Sequence, residues 1–157
     1  MKTRKYAILL LMMLLAIVPM LAACGSQSGE ESADDGQNPV MNFVGDYGHD
    51  RASIFIEADG QDGAKATVNW GTSAAETSTW TMSGPFDTET LTISYNDCVR
   101  TDYVYGEDGE VKSQEEVYVG GHGTIVFAEG DTLTLTWNDD QEHIADGTVF
   151  EFIGAEP

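Results

Sequence analysis

Ala64-Lys65-Ala66-Thr67-Val68-Asn69-Trp70 and, after a short polar gap, Glu76-Thr77-Ser78-Thr79-Trp80-Thr81-Met82-Ser83 decide the fold. In the first run Ala66, Val68 and Trp70 share one side, with Lys65, Thr67 and Asn69 on the other. In the second, Trp80 and Met82 oppose Thr77, Thr79 and Thr81. A side-chain period of two is that of a β-strand with one face buried. The same alternation recurs outward from this pair. Ala52, Ile54, Ile56 and Ala58 share a face in 51–58, and Leu91, Ile93 and Tyr95 in 90–95. Leu133, Leu135 and Trp137 do so in 132–137, while 148–153 is less regular but β-prone. Residues 41–47, 99–105, 115–119 and 124–128 add further β segments. Turn chemistry separates the runs at Asp59-Gly60 with Asp62-Gly63, Ser83-Gly84-Pro85, Asn96-Asp97, Glu107-Asp108-Gly109, Gly120-Gly121 and Glu129-Gly130-Asp131. After the first segment of the chain no stretch sustains a helical period, and only 139–146 has room for a helical turn.

The segments number about nine or ten, which predicts an all-β domain of about 8–10 strands once boundary error is allowed for. Strands joined in sequence by hairpins form a meander. A meander this long buries one face and removes its edges by closing, so an up-and-down antiparallel β-barrel is expected, with a two-sheet β-sandwich as the alternative.

The N-terminus has a different character. Lys2, Arg4 and Lys5 precede an uncharged apolar run from Ala7 to Leu21 that ends in Leu21-Ala22-Ala23-Cys24. Basic, apolar and small-residue regions in that order are the parts of a secretory signal. The run is short for a membrane span of roughly 20 residues. Leu21-Ala22-Ala23-Cys24 resembles the lipobox of bacterial lipoproteins. The resemblance implies that the Cys24 thiol takes a diacylglycerol, that cleavage precedes Cys24, and that acyl chains then hold the protein on the membrane. It implies an extracytoplasmic protein lipid-anchored to the cell membrane. Residues 1–23 are then the signal, and 24–39 are the lipidated Cys with a Ser-, Gly- and acid-rich tether too polar to build a core. Residues 40–157 are the barrel domain.

Phe43-Val44-Gly45-Asp46-Tyr47 is similar to the Phe-x-Gly-x-Trp opening of lipocalin-like barrels, with Tyr47 in the place of the Trp. Asn69-Trp70-Gly71, Trp80, Ile93-Ser94-Tyr95, Leu135-Thr136-Trp137 and Phe150-Glu151 together look like small lipid-anchored proteins of Gram-positive bacteria without an assigned activity. The resemblance implies a fold and a location.

The chain has 7 Lys+Arg against 27 Asp+Glu, a formal charge of −20. Every acid follows Cys24 and three cations precede it, so the mature chain carries 4 minus 27, or −23. Such a surface repels nucleic acid and suits a cationic protein or peptide, for instance a host lysozyme or an antimicrobial peptide. With Cys24 acylated, Cys98 is the one remaining thiol; it is expected to pack as a small apolar group.

Trp70, Trp80, Tyr95 and Trp137 are the candidate ligand-binding residues. Each shares a face with the apolar residues of its strand, so they either fill the core or line a cavity for a small apolar or lipid ligand. Arg100 has two placements: inward, where it needs a partner such as Asp102 or a ligand carboxylate, or outward, which burial statistics favour. The acidic turns at Asp59–Asp62 and Asn138–Glu142 lack the spacing of a calcium loop and read as turns. His49, His122 and His143 lack zinc spacing. No nucleophile elbow or phosphate loop is present. The expectation is a non-catalytic binding protein that takes a small apolar or lipid ligand in the barrel, with capture of a cationic protein or peptide by the acidic surface as the alternative, and with no catalytic residue, metal or cofactor.

Overall fold

The computed structural model describes residues 37–155. The signal, Cys24 and most of the tether lie outside them. Eight antiparallel strands follow one another around a closed barrel in simple sequence order. They are β1 (Gly45–His49), β2 (Ala52–Asp59), β3 (Gly63–Gly71), β4 (Glu76–Asp87), β5 (Thr92–Tyr105), β6 (Val111–Ala128), β7 (Thr134–Asp139) and β8 (Val149–Gly154). The ring closes where β1 pairs with β8, with a register shift between Asp46 and Tyr47. The expected up-and-down barrel is the fold observed, and no second sheet forms among the described residues.

Three expected turns lie inside strands, which is why fewer strands form than there are β segments in the sequence. Ser83-Gly84-Pro85 falls within β4, Asn96-Asp97 within β5 and Gly120-Gly121 within β6. Each coincides with a register shift in the ladder. Residues that favour turns also favour bulges, which add one residue to a strand and sharpen its bend. Gly120 is the clearest case, an extra residue between Val119 and Gly121 with φ +81°. These shifts fall in β4, β5 and β6, the three longest strands, because a bulge bends a strand around the barrel without ending it; the short β1–β8 ladder carries a shift as well.

The opening segment also departs from expectation. Residues 41–47 were expected to be extended, but Pro39–Phe43 forms a 3-10 turn and the strand begins at Gly45. Asn38 initiates it: the side-chain oxygen accepts from Val40 N at 2.9 Å, and Pro39 supplies the fixed φ of a first helical position. The Asn38 amide also donates to the carbonyls of Gly60 and Gly63. The turn is thereby fastened over the barrel end that holds the connections 59–63, 87–92 and 128–134. Phe43 enters that end against Phe86 and Phe127, with ring centroids at 5.5 and 4.8 Å.

Inward positions alternate as the sequence period requires. Tyr47, Ile54, Ile56, Val68, Trp80, Ile93, Ile125, Trp137 and Phe150 are fully buried in one cluster. Burying a side chain of this size contributes on the order of 2–3 kcal/mol. Trp80 and Trp137 meet edge to face at 5.3 Å near the middle of the cluster. Cys98 is fully buried, as expected of a thiol that packs as a hydrophobe, and burial pushes its pKa up to about 12.

Candidate functional site

At the barrel end opposite the 3-10 turn, the interior becomes polar. Antiparallel partners project to the same side of a sheet. Trp80 faces the core and stands opposite Arg100, and Arg100 in turn stands opposite Tyr118. Arg100 therefore points inward. The outward placement favoured by burial statistics is corrected by this register, and the partners explain how the barrel accommodates the charge. Its Nε and Nη2 reach the two Asp102 oxygens at 3.0 Å each, a two-point pairing. Nη2 also donates to Ser78 Oγ at 3.3 Å, and Nη1 binds Glu142 Oε1. The guanidinium carbon lies 5.1 Å from the Trp80 ring centroid.

The electrostatics follow from this geometry. Burial works against the charge on Arg100, but its bonds to Asp102 and Glu142 outweigh burial and hold its pKa above the ordinary value. Burial likewise tends to raise Asp102. Hydrogen bonds from Arg100 and Ser78 overcome that and hold it below the usual carboxylate range.

A second chain of bonds runs deeper. The Trp80 indole N–H donates to Tyr118 Oη at 3.0 Å, and that hydroxyl donates to Asp139 Oδ2 at 3.2 Å. Asp139 is itself buried, and its other oxygen accepts from Gln141 N. The Trp137 N–H donates to Tyr95 Oη at 2.8 Å, and Tyr95 donates to the Asn138 carbonyl. Burial is the leading cause that pushes the pKa of Tyr95 and of Tyr118 upward.

Residues 140–148, which link β7 to β8, cover this end. A single helical turn's bond joins His143 N to Asp139 O at 3.1 Å, in the region where the sequence leaves room for one turn. Ala145 is buried against the core, and Glu142 reaches Arg100. The second Glu142 oxygen, Oε2, is buried and has no hydrogen-bond partner among the described residues.

Of the four aromatic candidates, Trp80, Tyr95 and Trp137 come together in the core. Trp70 stands apart at the barrel end, half-buried, edge-on to Phe150 at 6.4 Å. The sequence offers Asp102 as the partner of an inward Arg100 and Asp139 and Glu142 within an acidic turn, but it does not group them with Ser78 and Tyr118 as a site. Parity is a further signal: Ser78 is two residues from Trp80, and Asp102 two from Arg100. Joining them requires the β4–β5–β6 register. The Asn138–Glu142 turn has the expected turn bonding at Asp139, but Glu142 is drawn into the Arg100 cluster. His122 lies in β6 with its ring 3.5 Å from Asp140, and His143 pairs with Asp146 at 3.1 Å. Among the described residues, no three His, Cys, Asp or Glu side chains are grouped to hold a metal ion.

Neither family models, curated proteins nor solved structures yield a match to this chain.

Proposed function

We propose that this chain is a lipid-anchored protein of the cell envelope whose barrel binds a cationic protein or peptide without transforming it. The observation that carries the reading is the long β5–β6 hairpin. Residues 106–117 form a projecting, strongly acidic surface on which Glu107, Asp108, Glu110, Glu115 and Glu116 are all exposed, with Lys112 the one cation. By contrast, the interior polar groups have partners within the barrel, with Glu142 Oε2 the exception among the described residues. Both buried indole N–H groups bond to tyrosines, and Arg100 bonds to Asp102 and Glu142. An acidic outer surface steers cationic partners and sets register through charge complementarity.

Titration with a small basic protein at low and at physiological salt tests this reading. Binding that weakens steeply with salt supports it; no binding at low salt defeats it. Anchoring through Cys24 is tested in cells: wild-type chain incorporates labelled fatty acid and sediments with membranes, and Cys24→Ala does neither.

A second reading is a small apolar or lipid ligand at the Trp70 end, favoured by the half-buried Trp70 ring, which stands edge-on to the buried Phe150. Native mass spectrometry after incubation with membrane lipid extract separates the two. An added mass that is lost on denaturation supports the ligand, and a bare mass leaves the acidic surface as the working part.

A further inference from the structure

One edge of β6 changes character near His122. From Gly123 to Val126 the strand is paired on both sides, to β5 and to β7. From Val111 to Gly121 it pairs with β5 alone, and among the described residues no backbone hydrogen bond reaches its other edge. Val111 through Val117 are exposed, as are Val119 and Gly120. A row of unpaired N–H and C=O groups is a template for one more strand.

The edge also carries a pattern. Ser113–Glu116 runs in unbroken register against Thr101–Val104, with one extra residue on each side, at Lys112 and at Val117. Successive residues of a strand project to opposite faces. Glu115 therefore shares a face with its partner Asp102, and Glu116 shares the other with Thr101. Carboxylates thus flank the edge above and below. A second copy of this chain would set Glu115 and Glu116 against their own kind within a molecule of net charge −20. Like charges directly opposite in a sheet are unfavourable. Toward Gly120, Val117 and Val119 stand 44 % and 63 % exposed and provide an apolar contact.

We propose that the Val111–Gly121 edge takes up an extended cationic segment by strand addition. Two consecutive basic residues lie opposite Glu115 and Glu116, one on each face, with an aliphatic residue against Val117 and Val119. The inference rests on the cationic-partner reading above and adds the mode of capture and the pattern recognised.

The test uses the full chain in mild detergent. The probe is a short capped peptide of alternating Thr and Val with a central Lys-Arg, followed by fluorescence anisotropy and by hydrogen exchange. Strand addition slows exchange of backbone amides within 111–121. Alternate amides of a strand point the same way, so N-methylation of one alternate set abolishes binding and of the other set leaves it intact. The pair Glu115→Lys with Glu116→Lys weakens binding about tenfold or more. The pair Glu129→Lys with Asp131→Lys, with the same charge change at the other end of the barrel, has little effect. Circular dichroism checks that each variant remains β-folded, and the peptide series needs no variant at all. Equal binding by both N-methylated peptides, or equal weakening by both charge pairs, overturns strand addition while leaving cationic capture in place. No binding of the basic peptide or of a basic protein at low salt overturns both.

Discussion

Arg100 and Trp80 stand directly opposite one another across the β4–β5 ladder, with the guanidinium carbon 5.1 Å from the indole centroid. One cation thus joins a carboxylate of its own strand, a carboxylate of the covering segment and the aromatic core.

Arg100→Leu separates these roles. It leaves Asp102 and Glu142 without their cation at positions 39 % and 25 % exposed. The expected loss is about 2 kcal/mol, less than the ~3–5 kcal/mol of a fully buried pair because both carboxylates keep some water. Urea unfolding measures it. Lys65→Met, which removes the surface pair with Glu57 at 3.8 Å, changes stability by less than about 0.5 kcal/mol.

Tyr95→Phe removes the acceptor of a fully buried indole N–H on Trp137. An orphaned buried donor costs about 1–3 kcal/mol. Tyr118→Phe does the same to Trp80 and also deprives Asp139 of a donor. Because Trp80 and Trp137 touch, the double variant is expected to depart from additivity by about 0.5 kcal/mol or more. A double-mutant cycle by urea unfolding reads the departure directly, and strict additivity would show that the two chains of bonds act separately.

Gly123→Ala is expected to destabilise by about 3 kcal/mol, as an overpacked core does. A Cβ there would collide with the Asn138 carbonyl and the Tyr95 hydroxyl, the same hydroxyl that Trp137 requires. Gly130→Ala is the control. Its φ is not positive and its Cβ would lie 3.6 Å from the nearest atom, so thermal unfolding should change little.

Stability should fall in alkali. Burial raises Tyr47 and Cys98 to about 12, and Tyr95 and Tyr118 are raised as well. These groups ionise more readily in the unfolded chain, where Cys titrates near 8.5 and Tyr near 10. Their contribution is whole below those values and is lost as pH rises toward the folded pKa. The urea midpoint should therefore begin to drop above about pH 9, and the drop should begin later in Cys98→Ala. The acid side has the opposite sign. Asp102 is lowered in the fold, so its contribution is present above about pH 4 and disappears as pH falls through the folded value.

The period of two in 64–70 and 76–83 already identifies strands, and it puts Val68, Trp80 and Met82 inside; all three are buried. Alternation is a local property and survives into the fold because one face of every strand is covered. Hairpin-length gaps then imply a meander, and the need to bury one face while losing the edges implies a barrel. Bulges were less legible, since Gly, Asn, Asp and Pro serve a turn and a bulge equally well. Only the ladder on either side tells them apart, as at Asn96-Asp97 and Gly120-Gly121.

The sequence alone establishes the β period, the inward faces of 64–70 and 76–83, the meander order and the acidic character. The tertiary structure alone decided that Arg100 turns inward and that Glu142 comes to meet it. It alone decided that Tyr95 and Tyr118 receive the two indole N–H groups, and that half of β6 keeps a free edge. The physical reason is register. Which residue stands opposite which depends on every bulge between them, and the partners of Arg100 lie up to 42 positions away in the chain.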